Sequence, residues 1–290
     1  EMSASLVGSE MCIRDSDNSG QPSAKEVFDT TPYTILVVDD NPDMTDFLKR
    51  TFEGYFKRII IAGDGVEALQ LVRSHVPDII VSDVMMPRMN GYKLCKTIKE
   101  DINISHIPVI LLTARDDRQS QISGYKNGAD GYLSKPFEVE MLMELIRNRL
   151  KNREYTKKRY LNAGLIPTPE ESTISLTDET FLIKLNSIIQ ENIENSNLGI
   201  QFICQEVGLG RSSLYNKLKA LTGMGANEYI SKLRIEKAIT LISGTDMPFS
   251  EIAEKTGFTT PSYFSTAFKQ YTGETPSQYK ERKKKGLAGK

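Results

Sequence analysis

This chain has little thiol or imidazole chemistry to offer. Its 290 residues hold three cysteines and two histidines. Cys12, Cys95 and Cys204 are odd in number and far apart, so no disulfide framework or thiolate metal spacing is legible. His75 and His106 stand alone, which argues against imidazole metal ligation. Buried, inert thiols in a reducing cytoplasm are the simplest expectation. Tryptophan is absent. No apolar run approaches the length needed to cross a bilayer, so no membrane contact by this segment is expected. An excess of one charge is missing too, the net charge being −1. That average hides a split. Residues 33–150 carry 15 basic and 17 acidic side chains, whereas residues 181–290 carry 15 and 10. A near-neutral half before a basic half suits a regulatory unit joined to a nucleic-acid binder. The length, with 39% hydrophobic and 26% charged residues, suffices for two globular domains.

The first residues lack the apolar core of a secretory signal. The chain starts at Glu1 rather than Met, and Leu6–Ser16 (LVGSEMCIRDS) resembles translated sequencing-adapter read-through. Residues 17–32 are polar and contain Ser, Gly and Pro. Residues 1–32 therefore read as a disordered tail or linker, part of it artefactual, with the natural protein extending upstream.

Residues 33–150 alternate short apolar runs with helical patterns. Ile35–Val38, Ile59–Ala62, Ile79–Ser82, Val109–Leu112 and Gly131–Ser134 read as strands. Asn41-Pro42-Asp43 starts a helix on which Met44, Phe47, Leu48 and Phe52 recur. Val66, Leu69 and Val72 mark a second helix, and Tyr92, Cys95 and Ile98 a third. Met141, Leu142, Leu145 and Ile146 mark the last. Continuous apolar strands between amphipathic helices predict a parallel sheet covered on both faces. Right-handed crossovers make it a doubly wound five-stranded α/β domain. Ligands bind such a sheet at the C-terminal tips of its strands. At those tips stand Asp39 and Asp40, Asp83, Thr113 and Lys135.

Three carboxylates at one sheet edge repel one another, and a bound cation relieves that repulsion. Mg²⁺ suits oxygen ligands and keeps several waters, so a few carboxylates suffice. An aspartate can attack a phosphoryl group, whose charge a metal and an ammonium then neutralise. Asp83 is the natural acceptor. Asp39 and Asp40 would hold the metal together with it, Lys135 would pair with the phosphoryl group, and Thr113 would donate its hydroxyl. Singly, each residue has an ordinary structural reading, such as a helix cap or a β residue.

VVDDNP, VSDVMMPRMNGY, LLTAR and GYLSKPF, in this order, resemble the motifs of response-regulator receiver domains. The resemblance implies a CheY-like fold, phosphorylation of Asp83 by a histidine kinase, and dependence on Mg²⁺. It adds the main-chain carbonyl of Met85 as a metal ligand. It assigns Thr113 and Tyr132 as the switch pair, and a cis Lys135–Pro136 bond.

Residues 151–176 read as a linker. Its basic stretch Lys151–Arg159 is expected to continue the last receiver helix as a solvated end, before a Pro-containing hinge around Pro167–Glu171.

From 177 to 290 the sequence is helical and repeats itself. Phe181, Leu182, Leu185, Ile188 and Ile189 form an apolar face, with Asp178 or Thr177 as cap. ICQEVGLGRSSLYNKLKALTG from Ile203 and IAEKTGFTTPSYFSTAFKQYTG from Ile252 each read as helix, glycine turn, helix. Tyr229, Leu233, Ile235, Ala238, Leu241 and Ile242 lie on a connecting helix. The small, polar or basic residues opening each second helix suit a DNA groove better than a core. They are Arg211, Ser212, Tyr215 and Asn216 in one copy. In the other they are Thr260, Ser262, Tyr263, Ser265 and Thr266. Two such helices can read major-groove segments roughly 34 Å apart. The basic run Lys280–Lys285 reads as a frayed, solvated end.

GFTTPSYFSTAFKQYTGETPSQYK, residues 257–280, resembles the AraC-type regulators. The resemblance implies seven helices and a bipartite DNA site. Thr266 stands where that family often has arginine. The joint reading is a phosphorylation-controlled transcription regulator of a bacterial two-component system, resembling the C-terminal part of a hybrid protein. Its expected partners are promoter DNA and a histidine kinase, with a homodimer on activation and RNA polymerase as a further partner class. Its expected place is the cytoplasm, or the cytoplasmic end of an inner-membrane sensor. No kinase histidine box or ATP-binding glycine box is present, so no enzyme activity is expected beyond accepting a phosphoryl group. Two readings stay open beside it: a phosphorelay sink, and a constitutive DNA binder with an inert receiver.

Overall fold

Alternate residues of a strand point to opposite faces, so apolar strands need cover on both sides. The computed structural model, which describes residues 28–114, 128–162 and 175–288, shows how this chain supplies it. Strands β1 (Thr34–Val38), β2 (Arg58–Ala62), β3 (Ile79–Asp83), β4 (Val109–Ala114) and β5 (Gly131–Lys135) form one parallel sheet in the order β2-β1-β3-β4-β5. Ile35, Val37, Ile79, Val81, Ile110 and Leu112 face α1 (Pro42–Phe52) and α4 (Val139–Asn162). Leu36, Val38, Ile80, Val109 and Leu111 face α2 (Gly65–His75) and α3 (Gly91–Glu100). The doubly wound class is the one expected from the pattern. Asn41 caps α1 by accepting from the Asp43 amide at 2.9 Å, and Pro42 takes the first turn, where no amide is needed.

Three expectations need correction here. Met141 is 62% exposed. The face of α4 that meets the sheet carries Leu142, Met143, Ile146 and Leu150, with Leu145 packed against them, so of the four expected residues Met141 alone falls off it. Residues 28–32, read as linker, pack on the domain. Thr30 is buried and donates to the Tyr55 carbonyl at 2.8 Å, and Phe28 stacks on Tyr33. The basic stretch Lys151–Arg159 does continue α4, but not as a merely solvated end. Arg153 donates to the Asp78 carbonyl at 3.1 Å, and Tyr160 is buried among residues of the helical region. The adapter-like residues and the Pro167–Glu171 hinge lie outside the described residues.

The helical region comprises α5 (Leu176–Glu191), α6 (Ile200–Val207), α7 (Arg211–Thr222), α8 (Ala226–Gly244), α9 (Phe249–Lys255), α10 (Pro261–Thr272) and α11 (Pro276–Ala288). One core joins α5, α6, α7 and the start of α8. A second joins the rest of α8 to α9, α10 and α11. Each repeat turns at a left-handed glycine, Gly208 at φ 73° and Gly257 at φ 70°. At Gly257 a Cβ would lie 2.2 Å from the Ile193 carbonyl, so this turn tolerates no side chain.

The cap of α5 is Ser175, not Asp178 or Thr177. The run Lys280–Lys285 lies within α11 and is not frayed. Lys280 pairs with Asp246 at 3.2 Å and Arg282 with Glu274 at 2.6 Å. No described helix is long and apolar enough to cross a membrane.

Candidate functional site

Because all five strands run the same way, their C-terminal ends share one edge, and the chain places its carboxylates there. Asp39 follows β1 and Asp83 ends β3, and both are buried. Each carboxylate divides its oxygens in the same manner. Asp39 Oδ1 accepts from the Asn41 amide at 2.9 Å, and Asp83 Oδ2 accepts from the Met85 amide at 2.8 Å. The other oxygen of each meets the Lys135 ammonium, at 2.8 Å from Asp39 and 2.7 Å from Asp83. Burial works against the charge on Lys135, but these two carboxylates outweigh it and hold its pKa above the ordinary lysine value. The Lys135–Pro136 bond is cis.

Gly91 brings α3 close beneath the site. Its amide donates to the Val84 carbonyl at 3.0 Å, and a Cβ there would lie 2.2 Å from the Asp83 carbonyl. Thr113, near the end of β4, is buried, and its hydroxyl has no hydrogen-bond partner among the described residues. Tyr132, on neighbouring β5, is half-buried against the core under α2 and α3. Met85 is 72% exposed.

Asp39, Asp83 and Lys135 thus form one linked group, with Thr113 at the same sheet edge. Asp40 is exposed beside them. Among the described residues no three His, Cys, Asp or Glu side chains stand grouped to hold a metal ion. The crowding of three carboxylates expected from the sequence is replaced by two carboxylates bridged by an ammonium. The donor set still fits a hard cation. Asp39 and Asp83 bring buried, hard oxygens that already need a positive charge between them, and the Thr113 hydroxyl, without a partner among the described residues, suits an added anion.

One further member of this edge escaped sequence reading. Asp64 is buried, caps α2 by accepting from the Val66 amide at 2.7 Å, and pairs with Arg88.

A second polar cluster lies where the sheet domain meets the helical region. Asp178 on α5 accepts from the ammonium of Lys217 on α7 and, at 2.7 Å, from the Ser105 hydroxyl ahead of β4. Lys217 also donates to that hydroxyl at 2.8 Å, and its ammonium lies 5.1 Å from the Phe181 ring centre. Thr177 donates to the Lys99 carbonyl at 3.0 Å, so α5 is tied to α3 as well. Burial raises the Asp178 carboxyl's pKa, but Lys217 and hydrogen bonds from Ser105 and Ser175 outweigh that and hold it below the ordinary carboxylate range. A signal for this cluster existed. Lys217 stands three after Leu214 and four before Leu221, and Asp178 three before Phe181, so both charges sit on apolar helical stripes.

The groove-reading candidates lie on the other side of α7 and on α10. Arg211, Ser212 and Asn216 are exposed, and Tyr215 is 54% exposed. On α10, Ser262 and Thr266 are exposed, Ser265 is half-buried and Tyr263 is 54% exposed. Several hydroxyls here already have local work. Thr260 caps α10 by accepting from the Tyr263 amide at 3.2 Å, while Ser265 and Thr266 donate to carbonyls one turn back. Tyr263 meets Phe258 edge-on at 5.7 Å.

Comparison with known proteins agrees with both halves. The model of the response regulator receiver domain matches residues 35–147, and that of a helix-turn-helix domain matches residues 203–282. Histidine kinase P4 of Formosa agariphila is 41% identical over 249 residues, which are 86% of this chain and 18% of that protein. The chain therefore spans under a fifth of that relative's length. Response regulator MprA of Mycobacterium sp. (strain KMS) is 36% identical over 165 residues, 52% of this chain and 70% of that one. Among solved structures, a response regulator protein from Chloroflexus aurantiacus shares 34% identity over 42% of this chain and 99% of its own, with a TM-score of 0.40. Matched by the receiver model and by a relative covered over more than two thirds of its length, the chain belongs to the response regulators, with a receiver domain followed by an AraC-type helix-turn-helix domain.

Proposed function

We propose that this chain is a transcription regulator controlled by a phosphoryl group on Asp83, with α7 and α10 reading DNA. The observation that carries the reading is the strand-end group itself. A buried aspartate is held by Lys135, beside a buried threonine hydroxyl with no described partner. In the proposed reaction an Asp83 carboxylate oxygen attacks phosphorus as the donor's bond to phosphorus breaks. Lys135 then turns from a pair of carboxylates to the transferred group. Thr113 donates its hydroxyl to a phosphoryl oxygen. Mg²⁺, held by Asp39, Asp40, Asp83 and the Met85 carbonyl, would neutralise charge on the phosphoryl oxygens. Tyr132 would then follow Thr113, a population shift between two packings of the same face.

The donor is a histidine kinase. Likeness to a histidine kinase supports one in the same polypeptide, as in hybrid two-component proteins, and one in trans serves equally. The chain itself would be cytoplasmic and would act without enzymatic turnover. Sequence-specific binding to promoter DNA is supported by two exposed polar helix faces, joined by a 19-residue helix that spans roughly 28 Å. The α7 face stays exposed with the receiver packed behind it, which favours control through the arrangement of paired molecules, such as a homodimer meeting RNA polymerase, over simple occlusion of the DNA face. The test is labelling by a small phosphodonor with Mg²⁺. The parent should be labelled and the Asp83→Asn variant should not. Labelling that persists in that variant overturns the assignment. DNA footprints that do not change on labelling would favour the inert-receiver reading, and absence of DNA binding the phosphorelay sink.

A further inference from the structure

Between receiver and helical region lies a half-open cavity of about 90 Å³, lined by residues of both. Two nitrogens on its wall have no hydrogen-bond partner among the described residues. His106, on the approach to β4, is 8% exposed, and its Nδ1 is unpartnered. Arg149 of α4 has an unpartnered, buried Nε, which is always a donor. Leaving a buried polar group unmade costs roughly 1–3 kcal/mol; the Arg149 donor, with His106 Nδ1 in the tautomer that carries the proton there, marks a place for an acceptor.

Charge around the cavity selects the kind of acceptor. Lys99 pairs with Asp130, Lys217 with Asp178, and Arg153 lies 3.7 Å from Asp78. Arg149, half-buried on the wall, forms no ion pair of this kind among the described residues and is the cation there most open to a new partner. Burial, then the positive charges of Arg153 and Lys217, push the His106 pKa down to about 3. The imidazole is therefore neutral at ordinary pH. Its Nδ1 can carry the proton and donate. Water could fill a space of this size, but it would bring Arg149 no counter-charge.

We propose that this junction is a binding site for a small oxyanion such as phosphate, sulfate or a short carboxylate, held by Arg149 Nε–H and His106 Nδ1–H. Its walls come from both domains, so an occupant favours their docked arrangement by mass action. The site is separate from the Asp83 edge.

Only two histidines are present, so the full-length chain can be followed through its imidazole NMR signals. Inorganic phosphate, sulfate and acetate are titrated in turn, with a chelator present to remove Mg²⁺. The expected result is a saturable shift of the His106 signal with at least one anion, while His75 stays put. Arg149→Gln should weaken that binding roughly ten-fold or more, the loss of one hydrogen bond to a charged group. Arg149→Lys, which keeps the charge but not the Nε–H, should weaken it less and guards against a misfolded Gln variant. Asp83→Asn should leave the titration unchanged, which separates this site from the phosphoryl-acceptor reading. No saturable shift in tens of millimolar anion means a cavity filled by water and overturns the proposal. A shift that both Arg149 variants leave intact means an adventitious ion only and overturns it too.

Discussion

Replacing Asp178 by Asn would strand a lysine in the protein interior. The Lys217 side chain is 0% exposed and that of Asp178 3%, so solvent screens neither charge. Asn keeps the shape and can still accept from Ser105, but it supplies no counter-charge. Breaking a buried pair from one side costs roughly 3–5 kcal/mol. Removing both charges together, as Asp178→Leu with Lys217→Met, should restore stability to within about 1 kcal/mol of the parent or above it. The difference between the single and double changes isolates the pair from simple loss of packing. The pair joins α5 and α7 to the receiver through Ser105, so the cost should fall on the docking of the two domains. Tryptophan being absent, far-UV circular dichroism in a urea series is the readout. The single variant should unfold in two separated steps, where the parent and the double variant keep the steps together. Unaltered, coincident unfolding of Asp178→Asn would refute the reasoning. The pH dependence follows the same charge. A carboxyl with a depressed folded pKa contributes stability above its unfolded value of about 4, and loses it as pH falls through the lower folded value. Docking should therefore survive at about pH 5 and fail only in stronger acid.

At the acceptor edge, Lys135→Met leaves two buried carboxylates facing each other. It should lower stability by roughly 1–3 kcal/mol, less than a fully buried pair because Lys135 is partly exposed, and Mg²⁺ should recover part of the loss in thermal melts. Gly257→Ala forces a side chain into a left-handed turn against the Ile193 carbonyl. A loss of at least about 2 kcal/mol is expected by denaturant titration, whereas a neutral result would mean that the turn can rearrange. Arg211→Ala should weaken DNA binding by roughly 1–3 kcal/mol, and loss of a phosphate contact would lower the salt slope by about one. A charge-neutral change of the buried Lys217, made with its partner, should leave that slope unaltered in the same filter-binding series.

Much of the architecture was legible in advance because it rests on local patterns. Apolar runs and helical periodicities located all five strands, and a parallel sheet necessarily gathers its strand ends on one edge. Asp39, Asp83, Thr113 and Lys135 could therefore be assembled from sequence positions alone. The two glycine turns likewise announced a repeated helix-turn-helix, since glycine serves the left-handed conformation both copies adopt. Two of the readings that failed were choices between equivalent local options. Ser175, Thr177 and Asp178 can all cap a helix; this one starts at Leu176, which makes Ser175 the cap and leaves Asp178 inside the first turn, where it meets Lys217. Met141 and Met143 are equally apolar, and the rotation of α4 on the sheet decides which is covered.

Sequence by itself determined the order of the elements, the chemistry available at the sheet edge and the polar faces of α7 and α10, because each depends on residues close in the chain. Tertiary structure alone decided that one ammonium bridges two carboxylates, that Asp40 faces solvent, and that Ser105, Asp178 and Lys217 meet. Those contacts join residues as much as 112 positions apart, and packing, not pattern, selects which distant charges are enclosed together.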